Sequence, residues 1–372
     1  MKALVLVCAA WGVSWGSWSA LLPAVKEQLA VSPADLGLAL SAVPVGAIPA
    51  MVLAGRLARG RERAGLAISC VSFALSLAVL ALLTSSEAGR LAPLLALGLP
   101  LLLVGATSGA IDVALNLATG RAERETGRRL FQPVHAAFPV AVIVAAPATG
   151  LARELGLSPR TVLVAAAVAV LAASTSLVTL PAGKDGLPPA DDQAGGRRRW
   201  TAALVIGGLI ACVLIIENAV EQWSVLLLEE HRDASALVAS AAPAVYMGAL
   251  TAGRIIAQAL PRLPTRFHYL AAGAGGGAGI ALAGLGGSAV ASLAGFALTG
   301  LALGPLVPAV LSQAAAEDPT GTLVSALSTI SYAGFVVSPL LVAALTSWIG
   351  LPAALAALGL LALPLLAQSF RT

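Results

Sequence analysis

Apolar residues run along the chain in long unbroken stretches, separated by short clusters rich in charge, Gly, Pro or Ser. Twelve stretches fall at roughly 3–24, 35–55, 64–84, 91–118, 131–152, 160–180, 201–227, 235–259, 267–286, 289–313, 321–346 and 351–369. A helix rising 1.5 Å per residue crosses a ~30 Å hydrocarbon layer in about 20 residues, so each stretch can span a membrane. A backbone exposed to lipid must satisfy its own hydrogen bonds, which leaves helices or closed barrels, and the alternating pattern of a barrel strand is absent. The prediction is an all-α polytopic membrane protein of twelve transmembrane helices.

One longer polar stretch, Pro181 to Trp200, interrupts the series and carries Lys184, Asp185, Asp191, Asp192 and the run Arg197-Arg198-Arg199. Its Gly and Pro content reads as a flexible linker. It divides the chain into an N-terminal six-helix bundle (1–180), a cytoplasmic linker (181–200) and a C-terminal six-helix bundle (201–372). The two halves echo each other. Trp18-Ser19-Ala20-Leu21-Leu22 closes the first span and Trp223-Ser224-Val225-Leu226-Leu227 the seventh. Gly55-Arg56-Leu57-Ala58 after the second span is matched by Gly253-Arg254-Ile255-Ile256 after the eighth. Two matches at corresponding places predict a six-helix pseudo-repeat.

Composition narrows the function classes. Of 372 residues, 58% are hydrophobic and only 11% charged, too few charges to cover a water-facing surface, and the mean hydropathy is +0.92. A soluble enzyme, a nucleic-acid binder and a disulfide-knit secreted module are therefore excluded. The net charge of +4 reads as positive-inside bias instead. With the N-terminus in the cytoplasm, 17 of the 22 Lys and Arg fall on the cytoplasmic side, and the opposite topology reverses that bias. Both termini are expected in the cytoplasm of a cell whose inner membrane holds the protein. The first span, longer than a signal-peptide core, is read as retained. Cys8, Cys70 and Cys212 lie inside apolar runs with no CxxC or His partner, so no disulfide, metal site or cofactor is expected.

Six spans, a linker and six more, with Gly55-Arg56-Leu57-Ala58 after span two, resemble the major facilitator superfamily over the whole chain. The loop departs from that family's signature, placing Arg59 where an Asp is usual. Asp112-Val113-Ala114-Leu115-Asn116, His135-Ala136-Ala137-Phe138 and Glu217-Asn218-Ala219-Val220-Glu221-Gln222-Trp223-Ser224 resemble a bacterial inner-membrane branch near the fucose and sugar permeases. The resemblance implies that spans one, four, seven and ten line a central cavity that opens alternately to either side, and that Gly55, Arg56, Gly253 and Arg254 belong to cytoplasmic gate loops.

Among the acidic residues, Asp112 in span four and Glu217 and Glu221 in span seven lie at membrane depth. An ionisable group there costs at least ~2.5–3.5 kcal/mol, so it marks a polar cavity or a partner. A carboxyl in low dielectric holds a proton more readily and can exchange it as the cavity opens, which makes Glu217 the leading candidate for proton coupling. Glu221, one turn outward, reads as a hydrated residue at the cavity rim. Ser108, Asp112 and Asn116 share one face of span four at spacings of four. His135 enters span five at similar depth, where it can pair with Asp112 as a proton relay. Asp112 has a second reading, a latch to Arg56 or Arg61. Trp11, Trp15 and Trp18 stripe one face of span one. Trp11 and Trp15 are candidates for solute contact beside Ser108 and Asn116, whereas Trp18 and Trp223 suit the membrane interface. Tyr246, Gln313 and Tyr332 are expected to make packing hydrogen bonds, and the Gly-rich stretch 273–287 to permit close helix contact. Pro44, Pro49, Pro139, Pro147, Pro243, Pro305, Pro308 and Pro339 predict kinks.

The function expected is secondary active transport of a small solute, sugar-like or otherwise polar or amphipathic, driven by protons, because no GxxxxGK[ST] loop is present. An efflux carrier for drugs or metabolites and a non-transporting membrane sensor are the alternatives. An enzyme is not expected, since no HExxH occurs and the three histidines are scattered. Partners are the solute, protons and lipid, without nucleic acid, and the chain acts as a monomer.

Overall fold

The computed structural model describes residues 1–84, 93–128, 130–180, 197–260, 263–317 and 322–371. These residues form helices joined by short turns, with no strand among them. They are α1 (Lys2–Gln28), α2 (Pro33–Leu57), α3 (Glu62–Leu83), α4 (Pro93–Thr126), α5 (Phe131–Glu154), α6 (Pro159–Thr175), α7 (Arg197–Arg232) and α8 (Ala236–Ala259), each followed by the next with little intervening chain except before α7. The ninth span, α9, covers 265–285 and is interrupted by a π-helical turn at Ala271–Gly276. The tenth, α10, consists of Ala289–Leu303 and Leu306–Glu317, broken where Gly304 and Pro305 stop the ladder. A continuous helical run from Thr322 bends at Gly350, whose φ of 78° only glycine adopts freely, and this separates α11 (322–349) from α12 (351–369). Ten segments of the described residues are long and apolar enough to cross a membrane, and dividing 326–369 at Gly350 and counting α9 gives twelve helices.

Local chemistry sets the helix starts. Ser32 accepts the Asp35 amide at 3.1 Å ahead of Pro33, and Ser158 accepts that of Thr161 at 3.3 Å ahead of Pro159. Ser288 caps α10 through Ala291 at 3.2 Å. Serine caps with proline in the first turn satisfy or remove amides that have no intrahelical partner. The predicted linker lies mostly outside the described residues, but Arg197, Arg198 and Arg199 belong to the first turn of α7 rather than to a loop.

The chain divides into two compact units, Met1–Pro189 with Ser235–Ala244, and Ala190–Ala234 with Val245–Thr372. In the first unit α1 packs on α5, α2 on α4, and α3 on α4 and α6. In the second, α7 packs on α11, and α9 packs on α10 and α12. Glycines make these contacts close. A Cβ on Gly105 would stand 2.0 Å from the Val43 carbonyl oxygen, and one on Gly46 2.2 Å from that of Leu102, so α2 and α4 touch backbone to backbone. The corresponding pair in the second unit repeats the device, with Gly300 against Tyr246 O at 2.4 Å and Gly304 against Leu250 O at 2.5 Å. Small residues let helices approach where lipid offers no hydrophobic drive between them. The Gly-rich stretch serves the same end, Gly273 meeting Leu366 and Gly284 meeting Pro352. Large apolar side chains such as Val52, Ile68, Leu75, Val144 and Val168 are exposed, as lipid contact requires.

Candidate solute and proton site

In the first unit, α4 presents a polar ladder with a period of one turn. Trp11 donates its Nε1–H to Ser108 Oγ at 2.9 Å, and Trp15 donates to the same oxygen at 3.2 Å. One turn further along α4, Asp112 Oδ1 accepts from Asn116 Nδ2 at 3.1 Å, and Asn116 Oδ1 accepts from His135 Nε2 at 2.8 Å. The Trp11 ring meets Phe138 edge-on with centroids 5.0 Å apart, while His135 stacks parallel on Phe131 at 6.0 Å. Gly12 admits this packing, because a Cβ there would sit 2.5 Å from Phe138 O. The sequence places Asp112 and His135 as a direct pair. Instead Asn116 bridges them, since its amide can donate to one and accept from the other.

The latch reading of Asp112 meets a different arrangement. Arg56 is exposed in the last turn of α2, and neither Arg56 nor Arg61 forms an ion pair with Asp112 among the described residues. The buried acid at this end of the bundle is Glu62, 2% exposed, which accepts from Gly60 N at 2.9 Å and pairs with Arg121 at 3.2 Å. Arg121 also holds Glu125 at 2.6 Å. Neutralising the buried Glu62 removes the charge-assisted bond from Arg121, which keeps Glu125, and weakens the acceptor for the Gly60 amide. Glu62→Gln is therefore expected to lower stability by about 1–3 kcal/mol in thermal unfolding of the purified protein, with Glu125→Gln changing it little because that pair is surface-exposed. From α4, Glu123 accepts the amides of Leu130 and Phe131 and so fixes the start of α5, the helix that carries His135.

In the second unit, Glu217 and Glu221 lie one turn apart on α7, both half-buried. Arg254 of α8 lies close enough to act electrostatically on Glu217, and Tyr246 of α8 lies within electrostatic reach of both carboxylates and Arg254. Helical rise explains the registry. Glu217 lies about 22 Å before the end of α7 and Arg254 about 27 Å after the start of α8, whereas Glu221 and Tyr246 stand about 16 and 15 Å from those ends. Gly253 and Arg254 thus lie inside α8 rather than in a gate loop, and Arg254 Nε–H donates to Gly304 O at 3.1 Å. Glu217 accepts no hydrogen bond among the described residues. Tyr246 is fully buried with its hydroxyl unpartnered, so the packing hydrogen bond expected of it is absent. Asn218 and Gln222 pair along α7 at 3.2 Å.

Two aromatic expectations are corrected. Trp18 is 4% exposed and Trp223 is 0% exposed, both with an indole N–H unpartnered among the described residues, so each is packed inside its own unit rather than anchored at the interface. Tight neighbours on the same face, including the buried Leu21, Leu22, Leu226 and Leu227, draw them inward. Sequence reasoning did not single out Arg254 as a partner of Glu217, or Glu62 and Arg121 as a pair. The signal for the first was an arginine within the apolar run of α8.

Helices of membrane length with carboxylates and an arginine held within them define a polytopic membrane protein with polar groups inside its spans. The chain belongs to the Major Facilitator Superfamily, whose family model matches residues 3–332. It is 29% identical over 337 residues to an uncharacterized MFS-type transporter of Yersinia pestis, covering 88% of this chain and 84% of that one. It is 25% identical over 352 residues to the membrane protein MosC of Rhizobium meliloti, covering 92% and 83%. Its fold is similar to that of the nucleoside transporter NupG, with a TM-score of 0.74, 16% identity and coverage of 99% of this chain and 98% of that one. It is also similar to the inward-open xylose transporter XylE from E. coli, with a TM-score of 0.74, 13% identity and coverage of 99% and 94%. The protein is therefore a multi-pass membrane transporter of this superfamily.

Proposed function

We propose that the chain is a proton-coupled secondary carrier of a small polar or amphipathic solute in the cytoplasmic membrane, with both termini cytoplasmic, working as a monomer by alternating access. The observation that carries the reading is the α7–α8 cluster, two carboxylates one turn apart with Arg254 and an unpartnered Tyr246 hydroxyl. A half-buried carboxylate with a cation nearby can exist with or without its proton at modest cost, as coupling requires. In the other unit, Trp11, Trp15, Ser108 and Asn116 supply aromatic faces and hydrogen-bonding groups for the solute, and Asp112 with His135 supplies a second titratable pair. Gene products of similar fold named for nucleosides and xylose support a small polar solute. The 1–180 and 201–372 halves are proposed as the moving bodies.

The test is reconstitution into proteoliposomes and a screen of sugars, nucleosides, organic acids and organic cations for movement driven by an imposed pH gradient. Movement that collapses on adding a protonophore is the expected result. Solute exchange that ignores the gradient would overturn proton coupling, and ligand binding without flux would favour the sensor alternative.

A further inference from the structure

Asp112 is a half-buried carboxyl group within a span, and no Lys or Arg pairs with it among the described residues. Its Oδ1 takes the Asn116 amide, and its Oδ2 takes no hydrogen bond and is not sealed among the buried unpartnered atoms. The titratable groups that face it are His135, beyond Asn116, and the thiol of Cys8 on α1. One turn away on the same face of α4, Ser108 receives the indole N–H groups of both Trp11 and Trp15. Those two bonds fix the indoles and leave both rings half-buried, with Trp11 also braced against Phe138. Asp112 follows Ser108 by one helical turn of 5.4 Å on α4, so the carboxylate and the two indoles belong to one patch of that face.

We propose that Asp112 with Trp11 and Trp15, the indoles held by Ser108, forms a subsite for the ammonium group of an amine-bearing solute. A neutral sugar could donate to Oδ2 and stack on an indole, but only a cation supplies the counter-charge that an ionised carboxylate needs in a low-dielectric span. The ring faces then add attraction that a neutral isostere lacks. This deepens the carrier reading and rests on it for physiological meaning, although the subsite is tested by binding alone.

Binding is measured on the full chain in detergent by calorimetry with two matched pairs, choline against its neutral tert-butyl isostere, and phenethylamine against phenethyl alcohol. Each cation is expected to bind about tenfold tighter than its neutral counterpart. Asp112→Asn should erase that preference, Trp11→Leu should weaken both cations several-fold, and Trp11→Phe should restore most of the loss. Neutral members binding as well as the cations, or binding of neither cation to the wild-type protein, overturns the subsite, and this comparison stands even if a variant fails to fold. Proton-driven movement of a neutral sugar without cation binding would sink this inference and leave the carrier reading intact. Cation binding with no flux of any solute would uphold the subsite and defeat the carrier reading.

Discussion

Glu217→Gln is expected to abolish proton-driven solute movement while leaving a folded protein. One pH unit across the membrane is worth about 1.4 kcal/mol per proton, enough for about a tenfold solute gradient at one proton per solute. The wild-type protein in proteoliposomes should build such a gradient, and the variant should build none. Glutamine matches the shape of glutamate but cannot carry an exchangeable proton through the cycle. Because Glu217 accepts no hydrogen bond among the described residues, the substitution strands no donor, and only the nearby Arg254 loses a facing charge. Arg254 keeps its bond to Gly304 O, so stability should change by less than about 1 kcal/mol. Solute exchange without a gradient should persist, since it needs the binding site and not the proton. A variant that still concentrates solute on a pH gradient would remove Glu217 from the coupling step and shift attention to Glu221 or Asp112.

The spans were legible because apolar runs of membrane length carry their own signal, and the break at Gly304-Pro305 was written in a residue that cannot continue a helix. The interior of the spans was less so. The π-helical turn at Ala271–Gly276 is an adjustment of backbone bonding in a run of small residues, with no residue type that marks it. The tryptophan pattern gave the stripe on α1 but not the depth, because an indole suits an interface and a packed core alike, and neighbouring helices decided for Trp18 and Trp223. Within the candidate site, spacing along one helix was readable, so the α4 row of Ser108, Asp112 and Asn116 was expected. Contacts between helices were not. Which of Asp112 or Asn116 meets His135 depends on the rotation of α5, itself set by the Glu123 bonds at its first turn. The same holds for Arg254, whose meeting with Glu217 needs the registry of α7 against α8.

Gly105→Ala is expected to destabilise the first unit severely, and Gly98→Ala, seven residues earlier on the same helix, to do no harm. The added methyl at position 105 would lie 2.0 Å from the Val43 carbonyl oxygen, 2.6 Å from its carbon and 2.7 Å from Val43 Cα. All three are backbone atoms of α2, so no rotamer change relieves the clash and the two helices must separate by about 1 Å or more. The loss spreads along the crossing, because Gly46 and Gly109 make the same close approach and their contacts weaken with distance. A cost of about 3 kcal/mol or more follows, at the upper end for overpacking. At Gly98 a new Cβ meets nothing within 4 Å, and alanine favours a helix by about 1 kcal/mol over glycine. Thermal unfolding in detergent, followed by size exclusion, should show the Gly105 variant melting far below the wild type and the Gly98 variant at or above it. Equal melting temperatures for the two variants would mean that α2 and α4 do not meet backbone to backbone. The packing that presents the Ser108 and Asp112 face of α4 would then have to be redrawn.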